Sequence, residues 1–250
     1  MNKIFFLVFI FVTLKLNANS IVEYHKLCHD GDAGVCVDLG YNYMTGNQIE
    51  KDYKAALKYN KLGCDQGNGI GCNNLAIIYG DGLGTSKNTT KSIELFKKGC
   101  QLGEVSSCLE VGMKYELGES VKQDFSQAIK FYTKACHAKN GQACNNLGAM
   151  YAGGRGTDKN YTKAVGLYTL SCELNFTLGC KNAAWHYLMG HAIKQNFFKA
   201  AKYFTLACEG NDAFSCKNLA VQYLQGDGVE KDTEKVMFYL EKSCLSLIHI

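Results

Sequence analysis

The sequence predicts an all-α fold: an α-solenoid of 36-residue helix–turn–helix units, each fastened by a disulfide. Three observations predict it. Cysteines recur in one fixed register, apolar residues recur with the helical period inside every unit, and Gly and Asp/Asn residues punctuate the same positions each time. A fixed period of this length marks a repeat architecture.

The register comes first. The 13 cysteines fall as Cys28/Cys36, Cys64/Cys72, Cys100/Cys108, Cys136/Cys144, Cys172/Cys180 and Cys208/Cys216, with Cys244 left over. The offset is 8 within a pair and 36 from pair to pair, without insertion. Zinc sites use closer cysteine spacings with further Cys or His nearby, and the six histidines do not follow the period. His25 and His29 share a helix face at i,i+4 and, lacking a third ligand, are read as a solvated pair. No metal or cofactor is implied. A partner for Cys244 would fall at 252, and the chain stops at Ile250. The tail from Leu245 lacks the polar, Gly-containing loop that follows the other first cysteines, so the end is read as truncated or replaced. Intermolecular pairing is the alternative.

Disulfides require an oxidising compartment. Residues 1–18 fit an export signal: a basic start with Lys3, an apolar run of 11 residues from Ile4 to Leu14, then Leu16-Asn17-Ala18 at the cleavage point. That run is short against the roughly 20 residues a membrane span needs; an uncleaved anchor is the other reading. A periplasmic or secreted location follows, with no membrane span after signal removal. The formal charge of +4 falls towards neutrality once Lys3 and Lys15 are removed. With no basic block or aromatic–basic interleaving, nucleic acid is excluded as a partner. A monomer is expected.

Each unit begins after its second cysteine, the first full one running from Val37 to Cys72. Residues 19–36 form an N-terminal capping half-repeat, and 37–250 the array, its last repeat incomplete; the whole is read as one elongated domain. In the first helix, Cys72, Leu75, Ala76 and Tyr79 lie at 0, 3, 4 and 7, one helical face. The Tyr column continues as Tyr43, Tyr79, Tyr115, Tyr151, Tyr187 and Tyr223. Three residues earlier stand only Gly or Ala (Gly40, Ala76, Gly112, Gly148, Ala184, Ala220), which predicts close approach of a neighbouring helix. Gly46, Gly82, Gly118, Gly154, Gly190 and Gly226 end the first helices, where a left-handed residue is wanted. Asp52, Asn88, Asp124, Asn160, Asn196 and Asp232 open the second helices as N-caps, each worth about 1 kcal/mol. A second stripe follows, such as Phe125, Ala128, Ile129, Tyr132 and Cys136, and no Pro interrupts any helix.

These columns spell A-x-x-L-G-x-x-Y-x-x-G-x-G-x-x-K-D, which resembles the Sel1-like repeat; Asn145 to Ala164 (NNLGAMYAGGRGTDKNYTKA) is its clearest copy. With paired cysteines and an export signal, the chain is similar to the Helicobacter cysteine-rich protein family. The second turn Gly is replaced at Gln48, Ser120 and Ala192, so those turns should differ slightly in shape. The resemblance implies a right-handed superhelix and a scaffold that binds protein or peptide, as tetratricopeptide arrays do. It also carries a β-lactamase label and a penicillin-binding attribution, which would make the chain a hydrolase with β-lactams as ligands. No S-x-x-K, S-D-N or K-T-G string and no metallo-enzyme ligand set occurs, so no catalytic residue is assigned.

The binding reading rests on two columns of the first helices. A polar one runs Asp38, Asn74, Glu110, Asn146, Asn182, Asn218; an apolar one runs Tyr41, Ile77, Met113, Ala149, Trp185, Val221 and should face away from the core. Asn amides can pair with an extended backbone, and the single Trp is a typical anchor. Asn74, Asn146, Asn182, Asn218 and Trp185 are therefore the candidate partner-binding residues of a concave groove; burial of the apolar row between units is the alternative. Asn160 and Asn175 both stand in acid-extended N-x-T sequons. Asn160 already has a role as N-cap, leaving Asn175 as the candidate glycosylation site.

Overall fold

A computed structural model describes residues 18–190 and 194–248; the predicted signal segment and Ala192 lie outside the described residues, apart from Ala18, where the first helix begins. Thirteen helices and no strands occur among the described residues. They are α1 (Ala18–His29), α2 (Ala33–Thr45), α3 (Tyr53–Asp65), α4 (Gly69–Asp81), α5 (Thr89–Gln101), α6 (Val105–Leu117), α7 (Phe125–His137), α8 (Gly141–Gly153), α9 (Tyr161–Glu173), α10 (Thr177–Met189), α11 (Phe197–Glu209), α12 (Ala213–Gln225) and α13 (Thr233–Ile248). The even-numbered helices are the first helices of the units, the odd-numbered from α3 the second.

The punctuation acts as its chemistry requires. All six predicted second-helix caps accept a backbone N–H, from Asp52 (Ala55 N, 3.1 Å) to Asp232 (Lys235 N, 2.9 Å). First helices carry a second set of caps, Asp32, Asn68, Asn140 and Asp212, while Phe176 stands at the equivalent place without a side-chain bond. Gly46, Gly82, Gly118, Gly154, Gly190 and Gly226 are all left-handed, with φ between 66° and 78°. The second turn position does not change shape when Gly is lost: Gln48 and Ser120 keep φ of 65° and 63°, beside 64°, 71° and 73° at Gly84, Gly156 and Gly228. The surrounding turn imposes the conformation and the side chain accepts the strain.

The chain divides into two compact units, Met1–Ser107 and Cys108–Ile250. In the first, Cys28–Cys36 and Cys64–Cys72 are disulfides; in the second, Cys136–Cys144, Cys172–Cys180 and Cys208–Cys216. Cys100 and Cys108 are disulfide-bonded as well. Each of these five bridges joins the last turn of an odd-numbered helix to the first turn of the next helix, and every bonded cysteine is buried. Cys244 is a free, exposed thiol.

Within each unit, helix packs on its sequence neighbours through ring contacts that follow the register. Tyr43 stacks on Tyr59 in the first unit, and Tyr115 on Phe131, Tyr187 on Tyr203 and Tyr223 on Tyr239 in the second, with centroids 5.7–5.9 Å apart. His25 joins this system, stacked 5.2 Å from Tyr59 with Nε2 3.2 Å from the Tyr43 hydroxyl. It is therefore a packed histidine and not half of a solvated pair; burial and the nearby Lys58 and His29 lower its pKa. The small column admits the neighbouring helix as expected: a Cβ at Gly112 would stand 2.6 Å from the Tyr132 ring of α7, and one at Gly148 2.8 Å from the Tyr168 ring and 3.3 Å from the Ala164 carbonyl oxygen of α9.

Candidate functional site

The first helices of the second unit bring most of the candidate residues to one face. A hydrogen-bonded chain of side chains crosses it. Asn182 Nδ2 on α10 donates to Asn145 Oδ1 on α8 at 2.8 Å, and Asn145 Nδ2 donates to Asn146 Oδ1 at 3.4 Å. The Asn146 side chain in turn hydrogen-bonds the Tyr132 hydroxyl of α7. Tyr132 donates to Glu116 Oε2 on α6 at 2.5 Å, and Arg155 Nη1, from the turn after α8, donates to Glu116 Oε1 at 2.7 Å. Both carboxylate oxygens are thus engaged, and the Glu116 side chain is only 17% exposed. Burial, then the bond and charge of Glu116, push the Tyr132 phenol well above its ordinary pKa. Burial pushes Tyr168 up to about 12, against a small lowering by Arg155.

In this unit the apolar row is accessible: Trp185 and Val221 are exposed, while Met113 and Ala149 are half-buried; in the first unit Tyr41 is exposed and Ile77 half-buried. Trp185 meets Phe214 of α12 with centroids 5.7 Å apart. Asn218 donates to the Phe214 carbonyl at 2.7 Å. Asn74 sits in the first unit and is placed differently: it is buried, donating to Asn60 Oδ1 at 3.1 Å. Asn175 is exposed, in a left-handed turn residue with φ of 61°, a conformation Asn tolerates better than most. Asn160 is held as a cap by Lys163 N at 2.9 Å.

Glu116 and Arg155 escape a reading by columns because they depart from theirs, whereas Tyr132 is visible in the second-helix stripe as a packing residue. Glu116 stands in a column otherwise Met44, Gly80, Ala152, Leu188 and Leu224, and Arg155 is the only Arg in the chain. That singularity was the available signal. Three buried serines have structural partners: Ser107 donates to Asn73 Oδ1, Ser171 to the Gly141 carbonyl and Ser215 to the Asp212 carboxylate. Among the described residues no group of three or more His, Cys, Asp or Glu could hold a metal ion, and no helix is long and apolar enough to cross a membrane.

The Sel1 repeat model matches residues 34–68, 69–104, 105–140, 141–176, 178–212 and 213–246, nearly the whole described chain. The chain belongs to the Sel1 repeat family. Its backbone is similar to that of a protective antigen of uropathogenic Escherichia coli with an SLR fold, at TM-score 0.85 and 22% identity, covering 90% of this chain. The chain spans about half of that protein, 48% of its length. A Sel1 repeat protein from Oxalobacter formigenes matches at TM-score 0.76 and 23% identity, over 91% of this chain and 93% of its own. Cysteine-rich protein B of Helicobacter pylori is 30% identical over 52% of this chain and 93% of its own, with TM-score 0.42. Among curated proteins no sequence matches closely. Membership of the Sel1 family and six disulfides at repeat positions place the chain among cysteine-bridged repeat scaffolds, a class suited to oxidising surroundings.

Proposed function

We propose that this Sel1 repeat protein is an exported scaffold that binds an extended peptide or protein segment along the face of α8, α10 and α12. One observation carries the reading: a pre-ordered chain of amides, Asn182 to Asn146, runs beside an exposed apolar row that includes Trp185 and Val221. Asn182 is ordered by the single bond its Nδ2 donates to Asn145, and its own oxygen keeps acceptor capacity for a strand-like backbone. Because the rotamers of these amides are already ordered, association costs less entropy. Exposed apolar side chains beside them are the surface a partner would cover.

The test is a non-reducing pull-down from envelope and secreted fractions, repeated with a variant carrying Asn146→Ala, Asn182→Ala and Trp185→Ala. Loss of the captured partner, with helical content intact by circular dichroism, supports the groove. Undiminished capture by the folded variant sinks it. Export and signal removal belong to the same reading, as does Asn175 as an accessible acceptor for a glycan; intact mass of the natively produced protein reports on both.

A further inference from the structure

The α10/α12 part of this face has a chemistry more specific than a backbone ladder. Leu178, Trp185 and Met189 share one side of α10, and Phe214 and Val221 hold the positions 36 residues after Leu178 and Trp185 on α12. All five are exposed, between 37% and 46%, and the Trp185–Phe214 ring contact joins the two helices into one patch. Single exposed apolar residues are ordinary; a contiguous group is not.

Two cations border the patch. Lys181 Nζ lies 6.0 Å from the Phe214 ring centroid, but it is paired with Asp212 Oδ2 at 3.0 Å. Asp212 is itself fully engaged, its Oδ1 accepting from Ser215 N at 2.8 Å and Ser215 Oγ at 2.7 Å. Lys217 stands one turn from both Phe214 and Val221, is exposed, and has no ion-pair partner among the described residues. The same column holds Lys181 in the preceding unit and Val37, Asn73, Leu109 and Asn145 before that, so cations in this column are confined to this end.

We propose that the patch selects a partner segment in which a bulky apolar side chain is followed by a carboxylate. The side chain covers Trp185 and Phe214, and the carboxylate meets the Lys217 ammonium. This rests on the peptide-binding reading above and adds to it the chemistry of the bound segment. Charge complementarity decides the choice, because an apolar segment ending in a cation would meet the unpaired Lys217 with like charge.

Trp185 is the chain's only tryptophan, so its fluorescence reports on the patch directly. The probes are two acetylated, amidated decapeptides of Ser-Gly flanks around a central Leu-Phe-Asp or Leu-Phe-Asn, titrated against the folded, oxidised protein. The Asp peptide is expected to bind about 5- to 10-fold tighter at low ionic strength, an advantage that fades in high salt as screening takes hold. Lys217→Ala should bring the Asp peptide to the affinity of the Asn peptide and leave the latter unchanged. Equal affinities in the parent protein, or an advantage that survives Lys217→Ala, overturn the carboxylate preference while leaving peptide binding in place. If neither peptide alters Trp185 fluorescence at millimolar concentration, the peptide-binding reading of this face falls, and the preference with it.

Discussion

Lys139 occupies a turn position held by Gly31, Gly67 and Gly103 elsewhere, and does so with a left-handed φ of 64°. A side chain there costs about 1–2 kcal/mol, part of which Gly gives back through greater freedom when unfolded. Lys139→Gly should therefore stabilise the protein by about 0.5–1 kcal/mol in urea unfolding. Gly→Ala substitutions should move stability in opposite directions according to what a Cβ meets. At Gly166, in the exposed interior of α9, nothing lies within 4 Å, and Ala should add about 1 kcal/mol by helix propensity. At Gly112 the Tyr132 ring is in the way, and Ala should cost about 1–3 kcal/mol. The units with Gly in that column carry Asn60, Tyr132 or Tyr168 twenty residues on, and those with Ala carry Phe96, Phe204 or Leu240. The glycines thus go with polar-tipped partners that lie flat on the first helix. Those partners also set an alkaline limit. Tyr168, pushed up to about 12, and Tyr132, pushed higher still, keep their protons in the folded chain at pH values where an unfolded Tyr loses them. Their contribution is complete below the ordinary Tyr pKa and is lost as pH rises through the folded value, so stability should fall from about pH 10 upward. Tyr168→Phe should flatten that decline in a pH series of unfolding curves; an unchanged slope would show that other groups cause it.

Among the elements, the helix ends are the most local and the easiest to test. Asp124 accepts from Gln127 N at 3.0 Å, and Asp124→Ala should cost about 1 kcal/mol. The bridge Cys136–Cys144 closes a short loop, so replacing both cysteines by Ala should cost roughly 2–3 kcal/mol in the chain-entropy model. Denaturant midpoints measure both. These features were legible in the sequence because each obeys one column: a cap, a left-handed Gly and a cysteine must recur wherever the same hairpin recurs. The turn glycines, the second-helix caps and the disulfide partners followed from the register alone. The face of α8 and α10 was legible only in part. Its Asn and Trp columns were visible, but the link from Asn146 through Tyr132 to Glu116 and Arg155 joins four different columns. Such a link depends on which side chains meet across helices, and periodicity carries no information on that. Asn74 shows the same limit in reverse: its column matched, yet Asn60, standing where Tyr132 and Tyr168 stand in later units, draws it into a buried pair.

At the scale of the whole chain, stability in a repeat array is close to a sum of unit and neighbour terms, with no single central core to carry a weak repeat. Six short cross-linked loops of roughly 2–3 kcal/mol each are then comparable with the entire 5–15 kcal/mol typical of a folded domain. The fold should accordingly depend on oxidation. All bonded cysteines are at most 6% exposed, whereas Cys244 is exposed. A thiolate reductant attacks a disulfide only where it can reach a sulfur, so the native bridges should resist dithiothreitol while Cys244 reacts at once. A thiol-counting reagent should find one reactive group in the native protein and, after reduction in denaturant, all 13. Once reduced and returned to buffer without oxidant, the chain should have lost its cooperative thermal transition in far-UV circular dichroism, and reoxidation should restore it. A reduced chain that still melts cooperatively within a few degrees of the oxidised one would show that stacking alone holds the repeats. The bridges would then report on the compartment the chain occupies and would not be what keeps it folded there.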